Sequence, residues 1–243
     1  MLAENVQYRL APFRSRFDHP LGATEEYLVV YPSPVNARHG MSLLISPELP
    51  SADAAPAARV GTRERILSAS YHLFSKRGIR DVAIDEIIAA SGVAKATLYR
   101  HFPSKDELVL AFLQRREEVW TFGTVEAGAR SRSTNPEGQL LAIFDVFDDW
   151  FHSEGFDGCS FINVLLEMGP DHPIGQAATA HLATIRSVVA GLAREAGIVD
   201  PEEFARSWHI IMKGSIVQAT EGDLGAAQRA QALARLLIAH YRG

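Results

Sequence analysis

The sequence predicts an all-α fold, on three observations. From Ile66 onward apolar residues recur three and four positions apart, the period of a helix with one buried face. Clusters of Gly and Pro break those stretches at Gly155, at Gly169-Pro170, from Gly197 to Pro201 and at Glu221-Gly222-Asp223. After residue 58 no stretch alternates apolar and polar side chains as a half-buried strand does. The sequence has no internal repeat.

The 243 residues suffice for two small domains, and 47% hydrophobic content supplies a sizeable core. The net charge of -5 excludes a uniformly basic DNA coat, but the charge is unevenly spread. Residues 59–106 hold nine Lys/Arg against five acids, whereas residues 107–243 hold eleven against eighteen. A small basic module joined to an acidic body implies that only one part meets a polyanion. A single cysteine, Cys159, excludes an intramolecular disulfide framework and fits a reducing compartment. No apolar run is long enough for a membrane span, and Tyr27-Leu28-Val29-Val30-Tyr31 is too short for a secretory signal. A soluble cytoplasmic protein is the expectation. No Ser/His/Asp order, HExxH pair or Gly-rich phosphate loop is present, so neither an enzyme nor a bound cofactor is expected.

Three regions follow in order. Residues 1–58 carry seven of the twelve prolines and four arginines (Arg9, Arg14, Arg16 and Arg38) against six acids. Proline fixes φ and lacks a donor, so this stretch reads as a disordered extension, with Met41 as an alternative start. A DNA-laid arm using those arginines is the competing reading, opposed by the net negative charge. Residues 59–119 read as a first domain. Its first helix starts at a Thr62 cap, turns Ile66, Ala69, Leu73 and Phe74 inward, and ends at Gly78. Short helices follow near 84–91 and 94–102, and a fourth starts near Ser104 with Leu108, Ala111, Phe112 and Val119 inward. Residues 120–243 read as a second, larger domain, with helices near 136–153, 159–168, 173–196, 201–221 and 225–241.

The run from Gly92 to Lys105 is the most informative stretch. Gly92 reaches positive φ without a Cβ clash, so Ser91-Gly92-Val93 can reverse the chain between two short helices. Val93 would plug the angle, with Ile84, Ile87 and Leu98 facing helix one. In a helix-turn-helix the second helix enters the major groove and its first residues meet base edges. Lys95, Ala96 and Thr97 hold those positions; Lys95 suits guanine and Thr97 a base or a thymine methyl. Tyr99, Arg100 and His101 suit phosphates or flanking bases, and Lys105 adds charge at a helix start where backbone N–H groups are free. The competing reading is a solvated basic face with Tyr99 and Phe102 as core; Phe102 is assigned to the core. With Thr62 at the first helix, these seven residues are the candidate contacts to double-stranded DNA.

These residues resemble the TetR family of transcriptional regulators. The resemblance rests on Thr62-Arg63-Glu64-Arg65-Ile66-Leu67, Leu73-Phe74-Ser75-Lys76-Arg77-Gly78, Ile84-Asp85-Glu86-Ile87 and Gly92-Val93 through Lys105. It implies a homodimeric, all-helical repressor, with a three-helix helix-turn-helix DNA-binding domain followed by a larger helical ligand-binding and dimerisation domain. It places Lys95, Ala96, Thr97, Tyr99, Arg100 and His101 on or beside a palindromic operator. Four positions depart from the family pattern. Val82-Ala83 stand where Thr or Ser would cap helix two, so Ala83 cannot answer Glu86 in a capping box. Ala94 stands where Ser is common, and Ile88 replaces a smaller residue. A lost cap costs about 0.5–2 kcal/mol, a matter of rigidity rather than of DNA-facing groups.

The acidic body fits a sensor. Phe144, Phe147 and Phe151 share a helix face and read either as ordinary core or as the wall of a cavity for a small apolar or aromatic effector. Candidate ligand-binding residues are these three with Cys159, Asn163, Glu167, His181, Trp208 and Met212; His152, His209 and Gln218 are further polar candidates. Cys159 reads as a small buried hydrophobe or as a redox trigger, with no Lys or Arg in the adjoining residues to lower its pKa. No metal site is expected, because Pro173 separates His172 from the helix of His181. Ile210, Ile211, Gly214, Ile216 and Val217, with Ala226, Ala230, Leu233, Leu236, Leu237 and His240, form two apolar faces. Either a four-helix homodimer interface or an intramolecular core would use them.

Overall fold

A computed structural model describes residues 61–242. The extension read over residues 1–58, its Arg9, Arg14, Arg16 and Arg38, and the Met41 start lie outside the described residues. Every regular element among the described residues is a helix.

Helix α1 spans Thr62–Arg77. Gly61 holds its N-cap and Thr62 is the first helical residue, so Thr62 caps nothing. The expectation of a Thr62 cap is thereby corrected. Gly78 ends α1 at φ 83, as foreseen, and donates its N–H to the Phe74 carbonyl at 3.0 Å. Helix α2 spans Ile84–Ser91 and α3 spans Lys95–His101. Gly92 makes the turn between them in the left-handed conformation, φ 64 and ψ 32. The missing Thr or Ser at Ala83 is half compensated. Glu86 accepts the Ala83 N–H at 2.9 Å, and Arg77 clasps the same carboxylate. That clasp, with the Ala83 N–H, holds the Glu86 carboxyl below its ordinary range.

Helix α4, Lys105–Arg116, starts on a Ser104 hydroxyl that accepts the Glu107 N–H at 3.1 Å. It runs without a break into a π-helical segment, Glu117–Glu126, and then α5, Ala127–Arg132. The wider π winding rotates the buried face of this rod. Val119, expected inward, is therefore 36% exposed, while Thr121 and Val125 are buried.

Three of the body helices begin with proline after a capping residue. Asn135 precedes α6 (Pro136–Phe151), His172 precedes α8 (Pro173–Glu195) and Asp200 precedes α9 (Pro201–Thr220). Proline suits that first position because its missing N–H would have no helical partner. Helices α7 (Ser160–Met168) and α10 (Ala226–Tyr241) complete the body. Ile66, Phe74, Ile87, Leu98, Leu108 and Phe112 are buried among α1 to α4. Phe112 meets Phe74 edge-on at 5.5 Å. Phe144, Phe147, Phe161, Phe204 and Trp208 fill the body. Among the described residues no helix is long and apolar enough to cross a membrane.

Candidate functional site

Helix α3 buries Leu98 against the core and turns Lys95, Ala96, Tyr99 and Arg100 to solvent. Thr97, His101 and Lys105 are half-exposed beside them, and Thr62 is half-exposed at the start of α1. Phe102 is buried as assigned, with the Arg63 guanidinium 4.8 Å from its ring centre. Lys95 Nζ lies 3.3 Å from Asp85 Oδ1, and both side chains are well exposed. Such a pair contributes little and can give way to a phosphate or base. Ala94 supplies no side-chain cap, so the first N–H groups of α3 are free at the exposed end.

A contact distant in sequence ties these helices to the rest of the fold. The turn after α1 presents two successive backbone N–H groups, and the Glu167 carboxylate on α7 accepts both. Ile79 donates at 2.9 Å and Arg80 donates to the other oxygen. A Cβ on Gly78 would stand 3.0 Å from Glu167 Oε2, a tight contact that the carboxylate would have to ease by a few tenths of an ångström.

Behind the rod formed by α4, the π segment and α5 lies a small, mostly apolar cavity. Trp120, Thr121 and Val125 wall it from the π segment, Phe147 from α6, and Cys159 and Ile162 from the start of α7. Leu182 and Ile185 of α8 and His209, Met212, Lys213 and Ile216 of α9 close it. Its volume of about 20 Å³ holds little more than one water. No carboxylate lines it. Burial, reinforced by the charges of Lys213 and Arg186, pushes the His209 imidazole down to about 3, so the ring is neutral at ordinary pH. Burial and Arg186 likewise push the Lys213 ammonium below its ordinary value. Thr121 Oγ1 is buried without a hydrogen-bond partner.

The nine residues read as ligand-binding candidates divide. Phe147, Cys159 and Met212 line the cavity. Phe144 packs at 5.3 Å on Trp208, which is fully buried, and both lie outside the cavity lining. Phe151 packs on Phe156 at 5.1 Å. A shared helix face therefore meets three different neighbourhoods along its length, and only its middle residue reaches the cavity. Asn163 faces solvent and Glu167 is bound to the α1–α2 turn. His181 stacks on Phe161 at 5.1 Å and sits 2.8 Å from Glu117 Oε1. Of the further polar candidates His209 lines the cavity, while His152 and Gln218 are exposed. His172 caps α8 through Nδ1, which accepts the Ile174 N–H at 3.2 Å. No group of three or more His, Cys, Asp or Glu among the described residues could hold a metal ion.

Sequence reasoning did not place Thr121, Val125, Leu182, Ile185, Lys213 or Ile216 at the cavity. One signal was available: positions 209, 212, 213 and 216 are spaced as one face of α9, and Lys213 is a cation within that otherwise apolar stripe. The cysteine environment also differs from the local sequence. Arg116 and Lys213 approach Cys159 through the fold and pull its pKa down, but burial outweighs them and pushes the thiol up.

The two apolar faces of the last helices also separate. Ile216, Ala226 and Ala230 are buried within the chain. Ile210 and Leu236 are 73% and 68% exposed, and Val217 and Leu233 are exposed beside them in sequence spacing.

Residues 66–112 match the family model described as bacterial regulatory proteins, tetR family. The HTH-type transcriptional activator FasR of Mycolicibacterium smegmatis is 37% identical over 95 residues, 39% of this chain and 43% of that protein. The HTH-type transcriptional repressor KstR2 of the same species is 28% identical over 100 residues, 41% of this chain and 45% of that protein. The chain spans about half the length of the curated relatives it matches. The crystal structure of SCO4454, a TetR-family transcriptional regulator from Streptomyces coelicolor, superposes with a TM-score of 0.69 at 30% identity. That superposition covers 75% of this chain and 90% of the other. An exposed basic α3 set behind a left-handed glycine turn, the matched segment over 66–112 and a near full-length structural relative agree: the chain belongs to the TetR family of transcriptional regulators.

Proposed function

We propose that this protein is a homodimeric, ligand-responsive repressor that grips a palindromic DNA operator and releases it when a small effector enters the body. The carrying observation is α3, whose exposed Lys95, Ala96, Tyr99 and Arg100 stand on a buried Leu98. An α-helix presented in this way fits the major groove. In this reading residues 59–119 are the reading head, with Thr62, Lys95, Ala96, Thr97, Tyr99, Arg100, His101 and Lys105 against DNA, and residues 120–243 are the sensor. Ile210, Val217, Leu233 and Leu236 supply the apolar face through which two copies associate.

Two connections support ligand response. The cavity is walled by the π segment, which continues α4 out of the head. It is also walled by the start of α7, whose far end holds Glu167 against the α1–α2 turn. A cavity with room for one water must open to take a larger molecule, so an effector would displace both elements. The effector would then favour the head spacing that does not fit DNA, as a shift in population requires. A redox trigger at Cys159 is the weaker reading, because burial disfavours the thiolate. The matched proteins are regulators, and nothing in the site supports an enzymatic reading.

Gel-shift titration with tiled DNA from around the protein's own gene tests the proposal. One fragment should shift, with two protected half-sites about 34–36 Å apart. Absence of a shift with every fragment, using protein shown to be folded, would falsify it.

A further inference from the structure

The charge around the cavity is one-sided. Lys213 is the sole charged residue in its lining, and the lining contains no carboxylate. Arg186 of α8 stands near enough to repel Lys213, and both charges act on His209. Among the described residues neither Lys213 nor Arg186 has a carboxylate within ion-pair distance, whereas Arg77, Arg130, Arg132 and Arg194 all do. Lys213 and Arg186 are half-buried. Cations withdrawn from water ordinarily sit against an anion, because the desolvation cost is otherwise uncompensated. Thr121 Oγ1 adds a second unmet polar group, on a lining residue only 1% exposed. The remaining lining is aliphatic and aromatic, apart from Cys159 and the neutral His209.

We propose that the effector is an organic anion with an apolar or aromatic body, its charge met by Lys213 in the lining and one oxygen by the Thr121 hydroxyl, with Arg186, outside the lining, adding to the positive field. This rests on the reading of the cavity as the effector site and deepens it by naming the ligand class. The apolar body packs against Trp120, Phe147 and Met212, which line the cavity. The anion ends the mutual repulsion of the two cations. A cationic ligand meets the same field and is rejected, which gives the site a sign preference beyond its shape.

A matched series tests the charge separately from the cavity. The full-length protein is titrated with 4-phenylbutyrate, 4-phenylbutanol and 4-phenylbutylamine, followed by tryptophan fluorescence, since Trp120 lines the site. The acid should bind about tenfold or more tighter than the alcohol, the scale of one charge-assisted hydrogen bond, and the amine should bind weakest. In Lys213→Met the acid should lose that advantage while the alcohol binds as before. Arg186→Gln should show a smaller loss. Equal binding of acid and alcohol, or preference for the amine, overturns the anion proposal while leaving the cavity reading intact. If none of the three alters fluorescence or melting temperature up to millimolar concentration, the cavity reading falls and the proposal with it. The wild-type comparison needs no variant, so misfolding of either substitution does not shelter the proposal.

Discussion

The Glu167 carboxylate on α7 accepts the backbone N–H of Ile79, 88 positions earlier, at 2.9 Å. The adjacent Arg80 N–H goes to its second oxygen. Backbone donors in a turn have no helical partner, and here a side chain from the body supplies one. Glu167→Ala should strip the part-buried Ile79 donor of its partner, with water free to meet the exposed Arg80 N–H, and lower stability by about 1 kcal/mol. Amide hydrogen exchange checks this locally: the Ile79 and Arg80 amides should exchange faster in the variant while those of α3 stay protected. Unchanged protection at Ile79 would sink the account of the contact.

His209 makes stability depend on pH in a defined window. Its folded-state pKa, about 3, lies below the ordinary 6.5, so below that value the unfolded chain binds the extra proton. Stability contributed by the neutral ring is complete above pH 6.5 and is lost as pH falls toward 3. Denaturant melts of wild type and His209→Gln should therefore converge on acidification, wild type losing about 2 kcal/mol more between pH 6.5 and 5.0. Parallel pH curves for the two proteins would contradict a neutral buried imidazole.

Gly175, in the first turn of α8, is sterically obligatory. A Cβ there would lie 1.8 Å from the Gly169 carbonyl oxygen and 2.8 Å from its carbon, both backbone atoms. Gly175→Ala must push the Gly169–Pro170 turn aside and should cost about 1–3 kcal/mol, despite the higher helix propensity of alanine. Thermal melting gives the answer; a variant as stable as wild type would mean the turn yields freely.

Among the described residues Lys95 pairs with an exposed Asp85, so its charge is available to DNA at little cost. If it meets a phosphate, Lys95→Ala should reduce the slope of log affinity against log salt by about 1 and weaken all sequences alike. If it reads a guanine, the loss should concentrate on one operator position, about 1–3 kcal/mol. Operator titrations at several salt concentrations distinguish the two, and an unchanged affinity would remove Lys95 from the interface.

Leu236 on α10 is 68% exposed and Ile210 on α9 73%. In the proposed dimer these exposed side chains on adjacent helices supply the contact face. Leu236→Asp should leave the melting of the isolated chain nearly unchanged and halve the mass measured by light scattering. A wild type that is already monomeric at micromolar concentration would refute the dimer face.

The helices were legible because their signals are local. Apolar period, proline after a capping residue and glycine at a positive φ act within one turn of chain, so α6, α8, α9 and α10 lie within a residue or two of their expected limits. The outward basic residues of α3 were legible for the same reason: Leu98 and Phe102 claim the inner face and leave Lys95, Tyr99 and Arg100 outside. The π winding was not legible, since it is one extra residue per turn within an ordinary helical composition, and it moved Thr121 inward and Val119 outward.

Local signals along the chain suffice for the all-helical class, the glycine turn and the residues on the exposed face of α3. Long-range packing set which aromatic residues face a cavity, put Lys213 in a lining without a carboxylate, and joined Glu167 to the α1–α2 turn. Those outcomes depend on contacts between α7, α8 and α9 and on elements far away in the chain. The free energy of such contacts comes from desolvation and hydrogen-bond pairing in three dimensions, and no local periodicity encodes it.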